Sequence, residues 1–214
     1  CREAVEWGAE LIVTHHPIIF APLKSVTEET TVGRSIMTLC RHGISAVNAH
    51  TNLDCAPGGV NDVLAATLGL KDVETIPPFF RDDQGRQWGL LRRGRVEKQP
   101  LSQFLEIVKS SLNAEGLRYV DGGKPVRVVA VGGGHCSDEL MSAFEAGCDT
   151  FVTADIKYNE FWDAQALGMN LIDAGHFPTE NVVCPTVKAY LEEHFPEVKT
   201  VISTSHRDVI QYYL

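Results

Sequence analysis

Five side chains with metal-binding chemistry follow the predicted strands of this chain. They are two adjacent histidines, an aspartate, and a histidine and a glutamate spaced four residues apart: His15, His16, Asp54, His176 and Glu180. In α/β sheets the ligand crevice lies at the carboxyl ends of the strands, so we expect these segments to converge. Imidazole and carboxylate groups together are typical ligands of zinc, manganese, iron and similar divalent ions. The sequence therefore predicts a metal centre.

The two adjacent histidines indicate a pair of ions rather than one ion. Successive side chains of an extended segment point to opposite faces, so His15 and His16 would not easily bind the same ion. They can instead face two ions about 3.5–4 Å apart, which is the spacing of two-metal hydrolytic sites. If the segment of His176 and Glu180 closes into a helical turn, both side chains share one side, and Glu180 has two oxygens with which to bridge the ions. Asp54 would complete the ligand set.

The elements that must position these residues alternate along the chain. Short buried strands are followed by helices of about ten residues, which predicts an α/β fold with layered, mixed sheets. A final strand is expected at 198–203. We interpret Gly132–Gly134 as a tight turn between a strand and a helix, with phosphate binding by its N–H groups as the weaker alternative. Arg92–Arg95 is expected at solvated strand positions, or against an anionic ligand.

Two blocks of sequence recur in the same order. The aligned stretches are 4–14 with 143–153, where five positions are identical, and 43–50 with 168–176, where one residue is inserted. As a result, His50-x-x-x-Asp54 falls against His176-x-x-x-Glu180. We interpret this recurrence as an internal duplication that produced two related α/β lobes. The predicted division is a first lobe at 1–72, a connecting hairpin and helix at 73–124, and a second lobe at 125–214.

Other polar residues have structural interpretations beside functional ones. A single histidine next to a strand is more often a hydrogen-bonded structural residue than a ligand. For His50, a role in holding Asp54 or a bound substrate is preferred, with metal binding as the alternative. Asp155 takes the place in the second repeat that His16 has in the first. It is interpreted either as a base beside the ligands or as the residue that opens the next turn.

Composition disfavours several classes of partner. The chain has 214 residues and a formal net charge of −9, which disfavours non-specific binding to nucleic acid or to an anionic membrane. No run approaches the ~18 apolar residues of a membrane-spanning helix. The six cysteines form no CxxC pair, which favours a cytoplasmic, reducing location over a disulfide framework or a zinc ribbon. The chain opens at Cys1 without a methionine, so we treat it as part of a longer reading frame.

Four segments, in their order and spacing, resemble the Nif-three-like family, whose bacterial members often carry the name GTP cyclohydrolase I type II homologue. The segments are VTHHPIIF, NAHTNLDCAPGGVND, VTADIKYNE and IDAGHFPTE. The resemblance runs from Ala4 to about Phe195, in the short form without the long inter-lobe insertion of some members. It implies two related α/β lobes with a dinuclear metal centre between them and a toroidal homohexamer.

By motif, the resemblance assigns roles to individual residues. His15 and His16 match the paired histidine ligands, Asp54 matches the aspartate, and the closing histidine and bridging glutamate are matched by His176 and Glu180. His50 and Asp155 also fall in family motifs and are expected in the pocket.

Two functions are compatible with these residues. The first is a metal-dependent hydrolase that acts on a small nucleotide- or pterin-like substrate through a metal-activated water, with Asp155 or His50 moving the proton. The second is a metal-loaded oligomeric ring that binds partner proteins or handles metal ions without turnover.

Overall fold

The computed structural model describes residues 1–213 and has a mixed α/β fold. Its helices are α1 Arg2–Trp7, α2 Thr31–His42, α3 Thr51–Cys55, α4 Val60–Thr67, α5 Leu101–Ser111, α6 Leu140–Glu145, α7 Tyr158–Leu167, α8 His176–Asn181 and α9 Cys184–His194, with a 3-10 turn at Ser137–Glu139. Its strands are β1 Leu11–Thr14, β2 Ser45–Asn48, β3 Lys71–Thr75, β4 Phe79–Arg81, β5 Gln87–Gly89, β6 Arg92–Gln99, β7 Arg118–Val120, β8 Val126–His135, β9 Thr150–Ala154 and β10 Asn170–Asp173.

The described chain forms two compact units. The smaller unit contains Cys1–Leu53 and Ser203–Ser205, and the larger unit contains Asp54–Ile202 and the described residues from His206 onward. Strands β6 and β7 of the predicted connecting segment, and β3 across its predicted start, join the same sheet as β8, β9 and β10. The predicted division at residues 72 and 124 stays a prediction, and its last residue, Leu214, lies outside the described residues.

The smaller unit places two chain segments side by side at one sheet edge. Strands β1 and β2 pair in parallel, from Leu11 opposite Ser45 to Thr14 opposite Asn48. Each strand follows a helix that ends at a glycine in the left-handed conformation, which a residue without Cβ adopts without steric cost. Because the strands are parallel, the residues that follow them emerge at the same edge.

The larger unit contains a six-stranded sheet in the order β3-β6-β8-β9-β10-β7. Strands β8, β9 and β10 are parallel to one another, and the other three pair antiparallel with their neighbours. Alternate residues of β9 belong to different hydrophobic clusters, Val152 to the cluster with Phe104 of α5 and Phe151 to the cluster with Leu140 of α6. The sheet is therefore covered on both faces, which explains the continuous apolar runs of its parallel strands.

The two aligned sequence blocks also make matching backbone hydrogen bonds. Each copy of the repeat contains two parallel strands. The N–H that begins the second strand and the N–H just past its end each donate, at 2.9 Å, to a backbone carbonyl oxygen at the start or the end of the first strand. The pairs are Ser45–Glu10 with Asn170–Asp149, and Ala49–Thr14 with Ala174–Thr153. These matches support the duplication, which stays a prediction about ancestry.

Two predicted elements are wrong. Gly132–Gly134 is not a tight turn, because β8 continues through all three glycines to His135. Residues 198–203 form no strand in the described chain. Instead, the segment that follows is attached to α1 by side-chain bonds, since the Ser205 hydroxyl and the Thr204 N–H donate to the Glu3 carboxylate at 2.6 and 2.8 Å.

Arg92 differs from the solvated position expected for it. It is 2% exposed and donates to the Asp62 carboxylate and to the carbonyl oxygens of Gly89 at 2.6 Å and Cys55 at 3.2 Å. Its guanidinium group therefore satisfies the backbone of the turn that follows α3. Within residues 1–213 no helix is long and apolar enough to cross a membrane.

Replacing Arg92 with Met should lower the free energy of unfolding by about 2–4 kcal/mol, because several buried carbonyl groups and Asp62 lose their donor. Urea unfolding followed by circular dichroism measures this. Arg95→Met is the control, since Arg95 lies on the same strand but is exposed, and its change should stay within about 0.5 kcal/mol. Equal effects of the two substitutions would contradict the structural role of Arg92.

Candidate metal centre

The smaller unit brings three imidazole rings together after β1 and β2. One ring nitrogen from each of His15, His16 and His50 lies within 4.8 Å of the other two. Their ring centroids are 5.1 to 5.2 Å apart. The sequence places His15 and His16 among the ligands and favours another role for His50, and the structure puts a ring nitrogen of each in one group.

His15 has the tautomer of a metal ligand. Its Nδ1 lies 2.8 Å from the carbonyl oxygen of Ala49. A carbonyl oxygen only accepts hydrogen bonds, so Nδ1 carries a proton, and in the neutral ring Nε2 carries the lone pair. Histidines that bind metals usually donate their other N–H to a carbonyl or a carboxylate in this way.

The larger unit brings together the remaining three predicted ligands. Helix α8 is the helical turn that the spacing predicts, and it holds His176 Nε2 3.1 Å from Glu180 Oε1. A carboxylate oxygen of Glu180 also lies within 4.8 Å of one from Asp54. Asp54 is 7% exposed and Glu180 9% exposed. Two nearly buried acids and one imidazole therefore occupy one small region.

Asp155 acts on the ring of His176. It follows β9 with a φ of +53°, and its Oδ2 lies 2.6 Å from His176 Nδ1. The carboxylate fixes the ring so that Nε2 points at Glu180. Histidines that bind metals are usually arranged in this way: one ring nitrogen is bound by a carboxylate, and the other faces the metal.

His176 is a cation at neutral pH in the metal-free protein. The hydrogen bond to Glu180, followed by that to Asp155, raises the pKa of His176 to about 9, against the opposing effect of burial. The positive charge partly offsets the negative charges of the acids around it. A divalent ion would supply the same compensation more strongly.

Gly134 gives the ligands of α8 their space. A Cβ atom on Gly134 would lie 2.1 Å from Glu180 Oε1 and 3.2 Å from His176 Nε2, and the residue has a φ of +63°. The glycine triplet therefore lets β8 approach the ligand side chains. The three glycines predict a turn from sequence alone, and no local pattern indicates this close approach. The donor types and this close packing fit a divalent ion in the larger unit.

Cys136 is the cysteine that directly follows strand β8 and its glycine triplet. Cys136 is buried, and its Sγ lies 3.3 Å from the carbonyl oxygen of Gly133. Burial, followed by the charges of Asp54 and Glu180, raises the pKa of the Cys136 thiol to about 12. It therefore stays protonated at neutral pH and is a poor ligand and nucleophile.

The His176 resonances of the metal-free protein should titrate with a pKa of about 9. This value lies above the ordinary 6.5, so His176 stabilises the fold below pH 6.5, and that contribution is lost as the pH rises through about 9. Glu180→Gln should lower the pKa, while the control Glu160→Gln on α7 should not. Nuclear magnetic resonance measures all three titrations, and an unchanged pKa in Glu180→Gln would contradict the assigned cause.

Gly134→Ala should cost more stability than Gly123→Ala. Both glycines have positive φ, and the backbone cost of a Cβ there is about 1–2 kcal/mol. A Cβ on Gly123 meets no atom within 4 Å, whereas one on Gly134 meets Glu180, which adds about 1–3 kcal/mol of overpacking. Urea unfolding measures the difference. Equal losses would show that Glu180 does not depend on the space beside Gly134.

Comparisons with known proteins identify related sequences over most of the chain. Residues 1–209 match the family described as Duf34/NIF3 (NGG1p interacting factor 3). A protein of Clostridium perfringens called GTP cyclohydrolase 1 type 2 homolog is 31% identical over 99% of this chain and 80% of its own length. A Streptomyces coelicolor protein with the same name is 37% identical over 89% of this chain and 68% of its own length.

The fold is that of a solved relative. The crystal structure of a Bacillus cereus protein related to NIF3 superimposes with a TM-score of 0.90 at 27% identity, covering 99% of this chain and 85% of that protein. The family match, which spans almost the whole chain, agrees with the resemblance carried by the four sequence segments. This chain therefore belongs to the Duf34/NIF3 family.

Proposed function

We propose that the chain binds two divalent ions, zinc, manganese or iron, and hydrolyses a small nucleotide- or pterin-like substrate. The proposed ligands are His15, His16, Asp54, His176 and Glu180. The observation that carries the proposal is the pair of nearly buried carboxylates of Asp54 and Glu180 within 4.8 Å of each other, beside a histidine oriented by Asp155.

The donor groups of each unit support metal binding. The nitrogen donors of His15 and His16 lie together in the smaller unit, with His50 beside them, and two acids and an imidazole lie together in the larger one. Catalytic metal sites commonly take about three ligands from the protein and keep a further position for water or substrate. Mixed nitrogen and oxygen donors suit zinc, manganese and iron alike, so the supply of metal selects among them.

The proposed chemistry divides between the ions and the residues around them. Bound divalent ions supply Lewis-acid polarisation and an activated water for attack on a carbonyl, ring carbon or phosphoryl group. Asp155 holds the Nδ1 proton of His176 and keeps Nε2 directed at Glu180. His50 lies beside the other two imidazoles and is the proposed group that moves a proton to or from the substrate, with Asp155 as the alternative.

The names of relatives support the substrate class. The Clostridium perfringens and Streptomyces coelicolor proteins are called homologues of a GTP cyclohydrolase. GTP is a nucleotide, so these names favour the nucleotide-like substrate of the proposal. We therefore place small nitrogen heterocycles first among the substrates to be tested.

A second function is favoured by the family description. The words "NGG1p interacting factor 3" name a protein partner rather than a reaction. The corresponding proposal is a metal-loaded homo-oligomer, a hexamer by family resemblance, that binds proteins or handles metal without turnover. The hexamer and the cytoplasmic location stay predictions, the first of which light scattering tests.

Glu180→Gln should remove bound metal and hydrolytic activity together, because the amide carries no charge and bridges two ions poorly. Elemental analysis counts the ions per chain, and a screen of nucleotides, pterins and phosphoesters measures activity. The control Glu160→Gln changes another buried acid of the larger unit, which accepts from the Lys157 N–H at 2.8 Å. It should keep both properties.

The outcomes separate the two functions. Hydrolysis by the metal-free protein would contradict the first proposal. Two bound ions, a stable oligomer and no consumed substrate across the whole screen would favour the second. A chain that binds no ion at all would contradict both.

A further inference from the structure

Asn61 is a fully buried polar residue close to the ligands of the larger unit. It lies in the first turn of α4 and is 0% exposed. Its Nδ2 donates to the carbonyl oxygens of Leu90 at 2.6 Å and Asp54 at 3.3 Å, and its Oδ1 accepts from the Gly133 N–H at 2.7 Å. Both ends of the side-chain amide are therefore used, on three separate segments.

These bonds connect the two acidic ligands through the backbone. One bond holds the peptide of Asp54. Another holds Gly133, the neighbour of the glycine against which the Glu180 carboxylate packs. Strand β8 is attached to α8 next to this point, since the Gly134 N–H donates to Thr179 Oγ1 at 3.0 Å. Asn61 thus ties the peptide of the first acid to the strand that supports the second.

The two acids need such a support to stay close together. Two carboxylates within 4.8 Å of each other repel, and a buried position weakens the screening by water. The neutral amide of Asn61 resists their separation through hydrogen bonds and adds no charge of its own. Alternative neutral residues of similar size, such as Leu, have no hydrogen-bonding group with which to do this.

We infer that Asn61 is a positioning residue for metal binding, because it sets the distance between Asp54 and Glu180. The inference rests on the proposed function, in which both acids are ligands. Residues that orient ligands without touching the metal typically contribute 10- to 100-fold, roughly, to metal affinity.

The chain contains a matched control in Asn170. It is also 0% exposed and makes the same kind of bonds, since Nδ2 donates to the Lys124 carbonyl oxygen at 3.0 Å and Thr150 Oγ1 at 3.1 Å, while Oδ1 accepts from the Gly122 N–H at 2.9 Å. Asn170 is the first residue of β10. Helix α8, which carries His176 and Glu180, follows the last residue of that strand. Loss of Asn170 should therefore affect stability but not the ligands.

The experiment titrates Co²⁺ into the metal-free full chain and into Asn61→Ala and Asn170→Ala. Visible absorption reports the Co²⁺ coordination and the number of ions bound, and urea unfolding reports stability. Asn61→Ala should bind Co²⁺ about 10- to 100-fold more weakly with an altered spectrum. Asn170→Ala should lose comparable stability but keep the affinity within about twofold and the spectrum unchanged.

Asn61→Ser and Asn170→Ser form a second pair, in which a hydroxyl keeps some hydrogen bonding. Asn61→Ser should bind Co²⁺ with intermediate affinity. The inference is overturned if a folded Asn61 variant keeps the wild-type affinity and spectrum, or if Asn170→Ala changes them equally. It is also overturned if both Asn61 variants fail to fold while both Asn170 variants fold. Wild-type protein that binds no Co²⁺ would instead contradict the proposed function.

Discussion

The candidate site of the larger unit depends on one constraint: the carboxylates of Asp54 and Glu180 are held close together in a nearly buried region. Two ionised carboxylates whose oxygens lie at most 4.8 Å apart would repel by about 3 kcal/mol or more at an effective dielectric constant of about 20. The metal-free fold offsets this repulsion partly through the cationic His176, whose pKa is raised to about 9. The same environment that raises the proton affinity of His176 also attracts a divalent ion. The chemistry of Asp54, His176 and Glu180 therefore favours metal binding.

Holding the acids in place requires contributions from distant parts of the chain. The sheet core, packed on both faces, fixes the ends of its parallel strands. Gly134 lets β8 approach Glu180, while Arg92 and Asn61 satisfy buried backbone groups around the segment of Asp54. None of these three residues is a proposed ligand. Their roles illustrate that the geometry of a ligand set depends as much on its neighbours as on the ligands themselves.

The sequence predicts the parts of this arrangement that depend on local pattern. The alternation of short apolar segments with helical segments predicts the mixed α/β fold, and the four-residue spacing of His176 and Glu180 predicts their helical turn. The parts that depend on contacts between distant residues are missed. A run of glycines or arginines has no local signal that distinguishes a turn from a tightly packed strand, or a solvated cation from a buried one such as Arg92.

The most direct test of metal binding is diffraction at the manganese absorption edge from crystals grown with excess Mn²⁺. If the proposed ligands bind two ions, two anomalous peaks should appear, coordinated by nitrogen or oxygen atoms of His15, His16, Asp54, His176 and Glu180. Absence of both peaks, or peaks coordinated only by other residues, would contradict the proposal.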